Sequence, residues 1–187
     1  MSQNAFLTNQ VLIAMPDMQD PNFFHSVTYI CEHNKDGAMG IVINHPLSVT
    51  LGEVFIQLGL PWSDESPAEQ TVYAGGPVDV ERGFVIHSPL GDWESTLRIS
   101  GDLAVTSSRD ILEAMSHNAG PAQAIVTLGY AGWGPGQLEQ EMADNVWLNG
   151  EVSPELLFDL PADQRWHAAA AAMGVDINLL SSDVGHA

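Results

Sequence analysis

The chain has 187 residues, 45% of them hydrophobic, and carries 24 acidic against five basic side chains, a formal net charge of -19 with histidine neutral. That length suits one domain, which buries about 70% of its unfolded surface without staples, and the composition excludes a disordered chain. The five cations, Lys35, Arg82, Arg98, Arg109 and Arg165, are scattered and never adjacent, and a chain so acidic repels nucleic acid and anionic membranes over a Debye length of roughly 8 Å, so direct DNA binding is not expected.

In chain order, the first stretch MSQNAFLTNQVLIAMP has no basic segment, and its apolar run Val11–Met15 is too short for a secretory signal. Nothing later approaches the ~20 apolar residues of a membrane span, so a cytoplasmic protein is expected. QVLIAMP (10–16) predicts a strand ending at a proline, and MPDMQDPNFFHS a loop built on Asp17, Asp20, Pro21 and Asn22. SVTYICE (26–32), HNKDG (33–37) and AMGIVIN (38–44) predict a β-hairpin. Thr50 and Glu53 form a capping box for a helix that buries Leu51, Val54, Phe55 and Leu58 and ends at Gly59. TVYAGGPV (71–78) predicts a strand, DVERG its turn and FVIHS the return strand; TLRISG (96–101) predicts another strand. Ser107 and Asp110 cap a second helix carrying Ile111, Leu112 and Met115, stopped by Gly120-Pro121. AQAIVTLGYA (122–131) is apolar at nearly every position and predicts a central strand covered on both faces. A helix follows over GPGQLEQEMADN, a short one after Ser153-Pro154, and a longer one over 162–174 closed by Gly174.

Three patterns bear on chemistry. First, GYAGWGPGQLEQE (129–141) resembles a phosphate-holding loop, but Gly132, Gly134 and Gly136 read G-x-G-x-G, Glu139 occupies the third-glycine position, and Gln137-Leu138 stand where a P-loop has Lys and Ser or Thr. The stretch therefore predicts a tight strand-to-helix turn with Gly134 as N-cap and Pro135 at the first helical position. Second, GIVINHPL (40–47) and GFVIHSPL (83–90) repeat in register, which places Asn44 and His45 at a strand end comparable to that of His87 and Ser88. Third, Cys31 is the lone cysteine, so no intramolecular disulfide forms. On a regular strand it shares a face with Val27, Tyr29 and His33; a packed thiol and a redox thiol activated by His33 are both open. No serine lies in G-x-S-x-G, and the seven histidines form neither H-x-x-x-H nor H-E-x-x-H, so neither a metal nor a cofactor is expected.

MPDMQDPNFFHSVTYICEHNKDGAMGIVINHP, YAGGPVDVERGFVIHS and LGYAGWGPGQLEQEMADNVWL, in this order, resemble the YqgE/AlgH family of bacterial proteins (UPF0301, DUF179) from about Leu12 to Leu148, and LLSSDVGHA resembles the family's ending. The resemblance implies an α+β fold in which a mixed, bifurcated β-sheet curls into a pseudo-barrel with flanking helices. It implies one domain over 1–187, with a smaller lobe within about 71–120 as the subdivision to test. One branch of the family is named for the regulation of alginate production and is described as a transcriptional regulator. The family assigns no catalytic residue, and the basic residue usual between Asn44 and Pro46 is His45 here.

The expected protein is a non-enzymatic interaction or indirect regulatory module that engages an unidentified protein partner through loops 17–25, 75–83 and 129–136. The candidate surface comprises Asp20, Asn22, His33, Asn44, Gly76, His87, Tyr130, Trp133 and Gln137. The alternatives are a small-molecule-binding protein or enzyme, with a cleft drawn from Asn22, His33, Asn44, His87 and Gln137, and a thiol redox sensor at Cys31.

Overall fold

The computed structural model describes residues 6–180; the last seven residues of the family-like ending, 181–187, lie outside it. The elements are β1 (Gln10–Ala14), β2 (Val27–Asn34), β3 (Gly37–Val42), β4 (Pro46–Thr50), α1 (Leu51–Leu58), β5 (Thr71–Ala74), β6 (Val78–Ser88), β7 (Thr96–Ser100), β8 (Leu103–Thr106), α2 (Arg109–Ser116), β9 (Gln123–Trp133), α3 (Gln137–Ala143), β10 (Trp147–Glu151) and α4 (Ala162–Ala172). A π-helical turn at Glu155–Asp159 precedes α4, and a 3-10 turn at Ile177–Leu180 follows it.

The architecture is α+β. Ten strands form one sheet in the order β10-β1-β2-β3-β9-β6-β8-β7, and β4 and β5 branch from β9. Every pair is antiparallel except β5 with β9. The branch arises because β9 is long. Its residues 123–128 pair with β6 along one edge, while the other edge takes β5 at Thr127–Leu128 and β3 at Ala131–Trp133. No pairing joins β10 to β7 among the described residues, so the sheet stays open. The stretch 71–120 contributes β5 to β8 to this same sheet.

Strand alternation divides the core. Val11, Ile13, Val27, Tyr29, Phe84, Ile86 and Ile125 face the π-helical turn and α4. Their neighbours face the other way: Leu12, Ala14 and Ile30 pack under α3, and Val85 and Val126 under α1 and α2. With both faces covered, β1 and β9 become the near-continuous apolar runs seen in the sequence. The capping box is present, with Thr50 Oγ1 accepting from Glu53 N and the Glu53 carboxylate from Thr50 N, and Gly59 closes α1 at φ 70°.

Four expectations need correction. β4, β8 and β10 were not anticipated: PLSVT opens on a proline, LAVT spans four residues and WLNGE carries a glycine, so each depends on its partner strand for definition. The N-cap of α2 is Ser108 rather than Ser107. The N-cap of α3 is Gly136, at φ 73°, so Gly134 and Pro135 precede the helix. The turn expected at DVERG does not fold FVIHS back on TVYA. Thr127 pairs with Tyr73 of β5 and with Phe84 of β6, which puts β5 and β6 on opposite edges of β9.

The chain must therefore cross β9 between Ala74 and Val78, and Gly75-Gly76-Pro77 makes that crossing. A Cβ on Gly76 would fall on the Tyr130 carbonyl group and within 2.5 Å of Ala131 N; a Cβ on Gly129 would lie 2.5 Å from Gly76 O. Backbone rests directly on backbone, at a separation only glycine permits.

Candidate functional site

The glycine-rich turn after β9 is saturated by its own side chains. Gln137 Oε1 accepts from Gly134 N (3.0 Å), and Glu141 Oε1 accepts from the indole N–H groups of Trp133 (3.0 Å) and Trp147 (2.9 Å). Glu141 Oε2 accepts from Gln137 Nε2 (3.0 Å). Phe23 of the DPNF turn packs edge-on to Trp147 at 5.4 Å, and Asp20 Oδ1 accepts from the Asn22 amide at 2.9 Å. Trp133 thus faces inward beneath α3, whereas Tyr130, three residues earlier, lies on the opposite face against Phe84. Gln137 takes the Gly134 amide, and Glu139 and Glu141 put negative charge beside the start of α3, which disfavours a phosphate there.

His33 belongs to the same cluster, and a bulge puts it there. In the β2–β3 pairing Ile30 is opposite Gly40 and Glu32 opposite Met39, so Cys31 is an extra residue. The alternation flips, and His33, opposite Ala38, no longer shares the Cys31 face. His33 Nδ1 accepts from Leu7 N (2.9 Å), which leaves the proton on Nε2 for Glu139 at 2.8 Å. That hydrogen bond holds the Glu139 carboxyl below its usual range.

Cys31, 2% exposed, packs with Tyr29. Burial, and then the charge of Glu32, push its thiol well above the ordinary range, so it stays protonated at neutral pH. Because the thiolate is the attacking form, the native chain is expected to react with a disulfide reagent at pH 8 at least ~100-fold more slowly than the urea-unfolded chain. Comparable rates would refute the packed, protonated thiol.

Asn44 and His87 close separate parts of the frame. Asn44 Oδ1 accepts from Val27 N (2.8 Å) and its Nδ2 donates to His25 O (2.9 Å). His87 contacts Pro89 O through Nδ1 (2.9 Å) and Thr106 Oγ1 through Nε2 (2.6 Å). Asn44 and His87 thus bond to parts of the frame other than the α3 cluster that takes in His33 and Gln137. Burial lowers the proton affinity of His25, His45 and His87, in the last against the hydrogen bond to Pro89. The unfolded chain then binds protons that the folded chain refuses. The stabilisation is complete above the ordinary value of 6.5 and is lost as pH falls below it. In His87→Gln, the slope of stability against pH between about pH 5 and 7 should flatten relative to wild type; denaturant midpoints across that range test this, and an unchanged slope would exclude His87.

The conspicuous exposed feature is the segment that follows the crossing. Val78 pairs with Tyr130, but the next pairing is Gly83 with Leu128, so residues 79–82 are extra on β6 and bulge into an arch over β9, with Asp79 at φ 46° and Val80 Cα 3.3 Å from where a Cβ on Gly129 would lie. Val78 is 36% and Val80 58% exposed, between Asp79 and Glu81. As the arch returns, the Arg82 guanidinium lies over the Phe84 ring, 5.2 Å from its centroid, and donates to Ser107 Oγ (3.2 Å).

Beneath the arch is a cavity of about 350 Å³ lined by Cys31, Met39, Arg82, Phe84, Ser95, Leu97, Val105, Ser107 and Tyr130. Cys31 of β2 and Leu97 of β7 are five strand steps apart, ~24 Å in a flat sheet. For both to line one cavity, the sheet must curl here. Of the candidate residues, Cys31 and Tyr130 line this cavity and Gly76 launches the arch above it. Arg82 and Val80 were not named individually from the sequence, although both lie in the loop 75–83 expected to engage a partner; their place inside YAGGPVDVERG was the available signal. A larger cavity of about 830 Å³ lies between β10 and α4, but its charged members are Glu151 and Glu155 and no cation lines it. Among the described residues no group of three or more His, Cys, Asp or Glu could hold a metal, and no helix is long and apolar enough to cross a membrane.

Comparison with known proteins gives a consistent likeness. The family model described as AlgH-like (DUF179) matches residues 11–178. A UPF0301 protein of Thioalkalivibrio sulfidiphilus is 58% identical over 187 residues, and one of Nitrosococcus oceani 50% identical over 187, each across 100% of both chains. The solution structure of the AlgH protein from Pseudomonas aeruginosa superposes with TM-score 0.80 at 46% identity, over 100% of this chain and 99% of that one. A protein of Corynebacterium diphtheriae, 22% identical, shares the fold with TM-score 0.75 over 97% of this chain and 95% of that one.

Proposed function

The chain belongs to the AlgH-like family, and from that premise we propose that it is a non-enzymatic, cytoplasmic binding module with an indirect regulatory role, engaging a protein partner through the arch at 77–82. One observation carries this reading: Val80, 58% exposed on the bulged segment of β6, is set between two carboxylates. An apolar tip framed by acids fits a partner with an apolar socket and a basic rim. The field of a chain with net charge -19 steers such a partner in and keeps DNA away.

Affinity purification at endogenous level, with wild type and Val80→Glu side by side, tests the proposal. A partner recovered with wild type and lost with Val80→Glu supports it. Repeated absence of any specific partner, or one retained equally by Val80→Glu, rejects it.

A further inference from the structure

The cavity under the arch carries a second inference, independent of the partner. We propose that it is a binding site for a small organic monoanion: an apolar body with one carboxylate, the carboxylate held by Arg82 and the body seated among Met39, Phe84, Leu97, Val105 and Tyr130.

The lining sorts into two parts. Cys31, Met39, Phe84, Leu97, Val105 and Tyr130 give apolar wall, while Arg82, Ser95 and Ser107 supply polar groups. Ser107 N donates to Ser95 O (3.0 Å), which fixes the two serines side by side. This is the usual make-up of a small-molecule site: mostly apolar, with a few convergent polar groups that set orientation. At about 350 Å³ the cavity lies near the small end of such sites, enough for a medium-length hydrocarbon chain or a single ring.

Arg82 fixes the charge of the ligand. A guanidinium offers five N–H donors in a planar fork, and the hydrogen bond shown for Arg82 is the one to the Ser107 hydroxyl. The ion pairs among the described residues are His33–Glu139 and Arg109–Glu113, so Arg82 meets no carboxylate there. Lys35, Arg98 and Arg165 likewise meet no carboxylate among the described residues, but of these four cations Arg82 is the one that lines the cavity. Its packing over Phe84 holds the fork in place with donors to spare. The chemistry favours a carboxylate over a phosphate: one guanidinium matches one carboxylate bidentately, whereas a doubly charged phosphate would need further cations against the net charge of -19. The apolar body offsets the long-range repulsion a monoanion still feels.

The test uses the full chain, followed by methyl NMR and calorimetry, with octanoate, 3-phenylpropionate, octanol and octylamine as probes. At least one of the two acids is expected to bind saturably and shift the methyl signals of Met39, Leu97 and Val105. Octanol should bind at least about tenfold more weakly than octanoate, and octylamine should leave those signals unmoved. Arg82→Gln should weaken acid binding at least about tenfold without altering the octanol response, and Arg98→Gln, which alters net charge equally, should leave it unchanged. A matching denaturation midpoint for Arg82→Gln shows that folding is not the cause of its loss. The proposal is overturned if neither acid perturbs the cavity at millimolar concentration, if the shifts map elsewhere, or if Arg82→Gln binds as well as wild type.

Discussion

Gly76→Ala is expected to cost upward of about 4 kcal/mol, a large part of the 5–15 kcal/mol that holds a typical domain folded. Two effects add. Gly76 sits at φ 153°, a conformation in effect reserved for glycine, where a side chain costs of order 1–3 kcal/mol. Its new Cβ would also meet Tyr130 C and O and lie 2.5 Å from Ala131 N. These are backbone atoms of the central strand, held by β3 and β6, and cannot rotate aside as a side-chain tip could. At this chain length the melting temperature should fall by about 10 °C or more. Gly129→Ala, at φ 81° with Gly76 O at 2.5 Å, should behave alike. Gly83→Ala is the control: no neighbour lies within 4 Å of the added carbon, so stability should stay within about 0.5 kcal/mol. Urea midpoints for the three variants decide the matter. A Gly76→Ala midpoint within about 1 kcal/mol of wild type would mean that the crossing is not backbone on backbone.

The second large effect belongs to Glu141. Its Oε1 accepts from both Trp133 and Trp147, whose residues are 6% and 3% exposed. Glu141→Ala would leave two buried indole N–H groups without an acceptor, at about 1–3 kcal/mol each. A net loss of about 3 kcal/mol is expected, since the shortened side chain admits some water. Glu141→Gln keeps one acceptor oxygen and should lose about 1 kcal/mol, mainly the charge-assisted part of the bonds. Chemical denaturation followed by tryptophan emission reads both the loss and the altered indole environment. A loss below about 0.5 kcal/mol in Glu141→Ala would show that the carboxylate does not hold the indoles.

These effects explain the family motifs of the sequence. AGGPV and LGYAG are glycine-rich because two backbones cross there. GWGPGQLEQE is glycine-rich because a sharp turn must bring Gln137 and Glu141 back over Trp133. Neither needs a phosphate to account for its glycines. The remainder of YAGGPVDVERG, the arch, is the part that the crossing does not explain, and it is where the proposed partner and ligand meet the molecule.

The sequence by itself determined the features that local chemistry controls. The Thr50–Glu53 box and Gly59 set the limits of α1. The apolar run at 122–131 identified β9 as a central strand covered on both faces. Charge and cation spacing set the expectation that the chain does not bind DNA directly. Tertiary structure alone decided what depends on partners distant in the chain. β4, β8 and β10 are too short to declare themselves without a neighbouring strand. A one-residue bulge at Cys31 carried His33 to the opposite face, because side-chain direction has a period of two and an extra residue inverts everything beyond it. β5 and β6 look like the arms of a hairpin, yet they lie on opposite edges of β9, since edge pairing is settled by which strands bury the most apolar surface together. The cavity under Arg82 follows from the curl that brings β2 and β7 together, a property of the whole sheet that no segment of the sequence encodes.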